Sequence, residues 1–163
     1  MAELTVLDEK LAEVLGLEQA AQAATQKVIG LVEDDEVKST LEQMQQEAAE
    51  TEQRATQVAD GLEGKKTALL EKARETKGEA TEMMKTYLGD EEEALDGFEF
   101  LAMAEAGELC HWEIVQAIAE KAGEAQAKEL ADWSVGVQRR HVAKVRDAYL
   151  DLAAEEAKEM ASA

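Results

Sequence analysis

Two series of side chains recur in unbroken steps of four and three: Leu7, Leu11, Val14, Glu18, Ala21, Thr25, Val28 and Val32, and then Val37, Leu41, Met44, Ala48, Thr51, Ala55, Val58 and Leu62. Residues at this spacing share one face of an α-helix, and each series is long enough to line a partner along its whole length. No proline interrupts either stripe, or any other part of the 163 residues. The pattern predicts a first helix from about residue 5 to about residue 32, with Thr5 and Asp8 as a cap, and a second helix ending near Gly61 to Gly64. The acidic turn Glu33, Asp34, Asp35 and Glu36 joins them into an antiparallel hairpin. Aromatic residues make up only 4 % of the chain and Ala, Leu, Glu, Gln and Lys dominate it, so sheets, sandwiches and barrels are excluded.

Beyond this hairpin, residues 65–89 are more polar and carry Gly78 and Gly89, which reads as a short or interrupted amphipathic helix. From Asp90 the chain turns apolar nearly all round (Leu95, Phe98, Phe100, Leu101, Trp112, Val115), which predicts a third long helix, the most buried, closed by Gly123. A fourth runs from about Glu124 with Leu130, Trp133, Val137, His141, Val145 and Leu152 as its stripe, fraying from Lys158 onward. The expected fold is all-α: one domain over residues 1–163, a four-helix bundle of two antiparallel hairpins joined by a long crossover containing a short extra helix. A connection of about 28 residues is long enough to travel the length of the bundle, so that the second and third long helices run parallel.

Charge narrows the partners. Seventeen basic residues against 37 acidic ones leave a net charge of −20, which nucleic acid and anionic membranes would repel. No window approaches a membrane-spanning length of about 18 apolar residues, and the N-terminal segment has neither a basic start nor an apolar run. A cytoplasmic protein is expected, with the one cysteine, Cys110, as a buried thiol in a reducing compartment.

Several polar groups interrupt the apolar stripes. Glu18 occupies a stripe position, where a lone carboxylate must be paired, protonated or bound to a cation. Glu47 and Glu50 flank the second stripe. Glu105, Glu108 and Trp112 share a face of the third long helix, and Glu108 with His111 forms a Glu-x-x-His element. His141 lies in the fourth stripe, three residues after Gln138. Folding each hairpin about its turn places Glu18 opposite residue 51, Glu108 opposite residue 140 and His111 opposite residue 137. Each layer is about 16 residues, or about 24 Å, from its turn, so the two coincide at mid-bundle. The same register sets Trp112 against Gly136 and Gly107 against His141, an expected packing of small against large.

This arrangement resembles the ferritin-like di-metal carboxylate proteins, in which two helices each supply a Glu and the other two a Glu-x-x-His. More narrowly, Glu50 to Ala55, Lys65 to Leu70 and the run Cys110, His111, Trp112, Glu113, Ile114 resemble the YciF-type bacterial ferritin-like family, a stress-associated group. That family typically has Glu-His-Tyr-Glu-Ile where this chain begins with Cys110. It usually has His or Gln one turn after the second-helix Glu, where this chain has Gln53 and Arg54, and its fourth-helix acid is Gln138 here. The resemblance implies Glu18, Glu50, Glu113 and His141 as metal ligands, iron or manganese being the metal. The stripes instead favour Glu108 and His111 on the third long helix. Two functions stand side by side: a metal-binding, di-iron carboxylate protein with a stress or redox role, and a non-catalytic acidic bundle that has lost the centre and acts through interaction or homo-oligomeric self-association.

Overall fold

The computed structural model describes residues 3–162. It holds five helices and, among the described residues, no strand: α1 (Val6–Ile29), α2 (Asp35–Asp60), α3 (Lys66–Leu88), α4 (Ala94–Ala122) and α5 (Ala125–Ser162). The expected caps are in place. Thr5 accepts from the backbone N–H of Asp8 while Asp8 accepts from that of Thr5, a reciprocal box that satisfies two otherwise orphaned donors. Asp34 accepts from the N–H groups of Glu36 and Val37 at the start of α2. Gly123 ends α4 in the left-handed region at φ 73°, where a side chain would be strained.

Two apolar clusters fix the direction of every helix. One joins Leu7 and Leu11 of α1, Ala55 and Ala59 of α2, Leu69 and Ala73 of α3, Val115 and Ala119 of α4, and Leu130 of α5. The other joins Val28, Leu41, Leu88, Phe98, Leu101 and Val145. Helices α1, α3 and α5 therefore run one way, and α2 and α4 the other. Helices α1, α2, α5 and α4 pack in a ring, each against the next, and α3 lies chiefly along α1. The parallel run of α2 and α4 agrees with a connection that travels the length of the bundle.

That connection departs from expectation in being one uninterrupted helix of 23 residues. Gly78 sits inside it with nothing within 4 Å of where a Cβ would lie, so it neither breaks the helix nor serves packing. α3 is fastened at both ends: Lys65 pairs with the buried Asp8 at 2.7 Å, and Lys27 donates to the Gly89 carbonyl at 3.1 Å. Between these ties Gly16 lets the two backbones close. A Cβ there would drive into the carbonyl oxygen of Ala73 and sit 2.9 Å from Thr76 Cβ and 3.0 Å from Lys77 N. This is the close approach that glycine serves here. Gly107 and Gly136, expected to make room for His141 and Trp112, would meet nothing within 4 Å of an added Cβ.

Two further expectations are corrected. Cys110 is exposed; it lies about 175° around α4 from the middle of that helix's buried stripe, at 100° per residue. α5 does not fray from Lys158 but stays helical through Ser162, although residues 153–162 are exposed. Their Ala, Glu, Lys and Met content sustains the helix without tertiary cover.

Candidate functional site

Between the two apolar clusters lies a polar layer to which all four ring helices contribute: Glu18 from α1, Glu47 from α2, Glu105 and Glu108 from α4, and Gln138 and His141 from α5. Five of these side chains are buried and Glu47 is half-buried. The register of α4 on α5 brings them together. Glu108 meets Gln138 and Glu105 meets His141, two pairs symmetric about Gly123. The sequence placed that centre one residue later, which was enough to shift His141 from Gly107 to Glu105. By the same symmetry the position across from Trp112 is Ser134, also buried, rather than Gly136.

One hydrogen-bonded group centres on Glu18, whose Oε1 accepts from the indole N–H of Trp112 at 2.8 Å and from Gln138 Nε2 at 3.3 Å. The same Gln138 nitrogen donates to Glu108 Oε2 at 2.8 Å, so one amide bridges two carboxyl groups. A second group centres on His141: Nδ1 lies 3.1 Å from Glu105 Oε2 and Nε2 lies 2.7 Å from Glu47 Oε2. An imidazole donates from both nitrogens only as the cation. Arg140 reaches Glu47 Oε1 at 3.3 Å from the rim.

The charges follow from burial and from these partners. Burial pushes the Glu18 carboxyl up to about 8, the charge of Glu105 adding to it while Trp112, Gln138 and His141 oppose it. Burial likewise drives Glu108 well above the ordinary carboxylate range, reinforced by Glu105 and Glu18 and opposed by Gln138. For His141, burial disfavours the cation, but the hydrogen bonds and charges of Glu105 and Glu47 outweigh it and raise its affinity for the proton. Glu47, despite some burial, is held below its usual range by His141 and Arg140. The layer therefore favours the protonated forms of Glu18, Glu108 and His141, the last with Glu105 and Glu47 at its two ring nitrogens.

Of the six residues expected from the sequence as metal ligands, Glu18, Glu108 and His141 meet in this layer; Glu50, His111 and Glu113 do not. Glu50 lies about 130° from the middle of the α2 stripe, is half exposed, and pairs with Arg54 at 2.6 Å. Glu113 lies about 115° from the middle of the α4 stripe and pairs with Arg139 at the surface. His111 lies about 85° off, approaches the Gly107 carbonyl at 2.8 Å through Nδ1, and has Nε2 3.8 Å from Glu13. Glu105, Glu47, Gln138 and Trp112 complete the layer instead. The face shared by Glu105, Glu108 and Trp112 carried the signal for α4, and following it alone would have excluded His111 and Glu113.

Two buried oxygens, Glu18 Oε2 and Gln138 Oε1, have no hydrogen-bond partner among the described residues, nor does Ser134 Oγ. With Glu18 ionised both of the first two are acceptors and cannot satisfy each other; a proton on Glu18 supplies a donor, so the need is met by a proton or by a cation. Among the described residues no three acidic, imidazole or thiol side chains already converge on a common point close enough to hold a metal ion. Nor is any helix among them long and apolar enough to cross a membrane. The chain matches no protein-family model, and no curated protein or solved structure is similar to it.

Proposed function

We propose that the mid-bundle layer is a cation-binding centre of the ferritin-like kind, taking iron or manganese. The observation that carries this reading is an excess of buried acid. Three buried carboxyl groups and a half-buried fourth face a single imidazole, with Arg140 only at the rim, and one carboxylate oxygen and one amide oxygen lack partners. Buried acids so poorly matched are costly, and strong perturbation of several in one place is characteristic of functional sites. Oxygen donors with one imidazole suit iron and manganese. The two parallel helices and the α3 crossover add support for the ferritin-like comparison. The narrower YciF-type resemblance gains less, because of His111, Trp112, Glu113 and Ile114 only Trp112 reaches the layer.

Glu18, Glu105 and Glu108 would hold the ion, with the Gln138 carbonyl as a neutral donor and His141 available once it releases one acid. A bound ion of this class supplies Lewis acidity and redox chemistry, which fits a redox or stress role. Glu18 and Glu108 must give up their protons to ligate, so uptake should strengthen as pH rises through about 8. Trp112 and Gln138 would hold Glu18 in place meanwhile. Chelated protein is incubated with manganese at a pH of about 8.5, desalted and assayed for bound metal. Retention by the wild type, abolished in Glu108→Ala, is the expected result; no retained metal in folded wild type overturns the reading.

The second reading, a non-catalytic bundle acting through interaction or self-association, is favoured by one specific feature. Both ring nitrogens of His141 already engage carboxylates, and Gln138 already bridges two acids. On that reading the layer is a proton-filled network, and the metal assay returns nothing.

A further inference from the structure

α3 rests on α1 but barely touches α4, and a cleft of about 260 Å³ opens between the three helices. Leu17, Met83, Met84, Tyr87, Phe100 and Met103 form its walls together with alanines of α1, α3 and α4, and Glu108 and His111 close one end. The mouth is apolar too, with Met83 58 % and Met103 55 % exposed. Gly107 lies at the polar end; since an added Cβ there would meet nothing within 4 Å, its missing side chain is open space rather than a tight contact. Glu108 is 4 % exposed and its one hydrogen bond among the described residues, accepted by Oε2 from Gln138, leaves the other oxygen free to meet a visitor.

We infer that this cleft binds a small, uncharged, apolar molecule with a single hydroxyl or carbonyl head, of the size of a medium-chain alcohol, the head on Glu108 and the tail among the methionines. The volume lies below that of sites for drug-sized ligands, which begin at about 300 Å³. Thioether side chains adapt to irregular tails, so three methionines suit a flexible chain better than a rigid ring system. The head is set by charge. A carboxylate would have to sit against Glu108, and an ammonium would bring a buried charge with three N–H donors into a cleft whose walls are apolar and whose end offers one free Glu108 oxygen. A hydroxyl can donate or accept and brings no charge. A second copy of the chain is a poor occupant, because each carries a net charge of −20.

The cleft does not depend on a bound ion, so the test uses metal-free protein and its failure is separate from failure of the metal reading. The full chain, with ¹³C-methyl methionine and in the presence of a chelator, is titrated with octanol, octanoate and octylammonium. Octanol should shift Met83, Met84 and Met103 saturably while the core Met44 and the distal Met160 stay fixed. Octanoate and octylammonium should bind at least about tenfold more weakly. Ala104→Leu, or Gly107→Leu should the first variant fail to fold, should weaken octanol by at least about tenfold. Shifts that are unsaturable or spread over all the methionines, or an affinity unchanged by a folded filling variant, overturn the site. Tighter binding of either charged molecule overturns the neutral head.

Discussion

Glu18→Gln tests the electrostatics of the layer most directly because it keeps the shape and removes the proton equilibrium. The Glu18 carboxyl titrates near 4.5 when unperturbed and at about 8 in the fold. Raised folded affinity for a proton means that its contribution to stability is complete below 4.5 and is lost as pH rises through about 8. The whole shift corresponds to roughly 5 kcal/mol, of which about 2 is already lost by pH 6 and about 3 more disappears between pH 6 and pH 9. In the variant the amide oxygen can still accept from Trp112 and Gln138, and nothing ionises. His141, also raised, loses stability with rising pH in both proteins, and the part that differs is its attraction to ionised Glu18, which the Glu18 value already contains. Glu108 loses one of the charges that raise it, which adds to the difference. The lowered groups Asp8 and Glu47 shed their stabilisation only in acid, outside this window. Urea unfolding of chelated protein should therefore show the variant gaining on the wild type by about 3 kcal/mol from pH 6 to pH 9. Parallel stability curves over that range would refute the burial and pairing assigned to Glu18.

Two backbone and side-chain tests accompany it. Gly16→Ala should cost about 1 to 3 kcal/mol by forcing α1 from α3, whereas Gly136→Ala, with nothing to meet its methyl, should gain up to about 1 kcal/mol from helix propensity; urea midpoints with unchanged slopes would check both. Trp112→Phe should cost about 1 to 3 kcal/mol at a pH of about 9, where Glu18 is ionised and loses its indole donor; a loss there no larger in the wild-type background than in Glu18→Gln, whose amide oxygen is uncharged, would show that the indole does not act through the ionised acid.

What the sequence conveyed well was periodic. Steps of three and four, the Thr5 and Asp8 cap, the acidic turn and Gly123 placed four long helices and the direction of each, because these signals are local and agree with one another. The layer was legible where a polar residue stood squarely in a stripe, as Glu18 and His141 do, or shared a face with Trp112, as Glu105 and Glu108 do. At stripe edges a difference of some 60°, the angle between Glu47 and Glu50 on α2, decides which acid turns inward, and α4 is apolar on so many sides that its stripe has no sharp edge. Cys110 was misplaced for that reason: it was judged by apolar neighbours rather than by its angle. The helix α3 and its glycines were obscured for a different one. Gly78 and Gly16 read alike in sequence, and only the arrival of Ala73 against α1 makes one of them indispensable.

The crossover helix also explains why the layer has an approach from one side. α5 seals α4 on one flank and α1 seals it on the other, so a bare four-helix ring would enclose Glu108 or expose it along an open groove. α3, pinned to α1 through Gly16 and by Lys65 and Lys27 at its ends, covers that groove without closing on α4. The width of the cleft is thus set by ties on its far wall. The two apolar clusters hold both ends of the bundle, so the acids are buried between two separate apolar cores rather than at the edge of one. Burial that is unfavourable for Glu18 and Glu108 as anions is what favours their protonated forms. A carboxylic acid held neutral at the end of an apolar cleft is a hydrogen-bond donor in the absence of a cation and a ligand in its presence. On these grounds the cleft and the layer share one residue, Glu108, and occupation of either is expected to alter its proton.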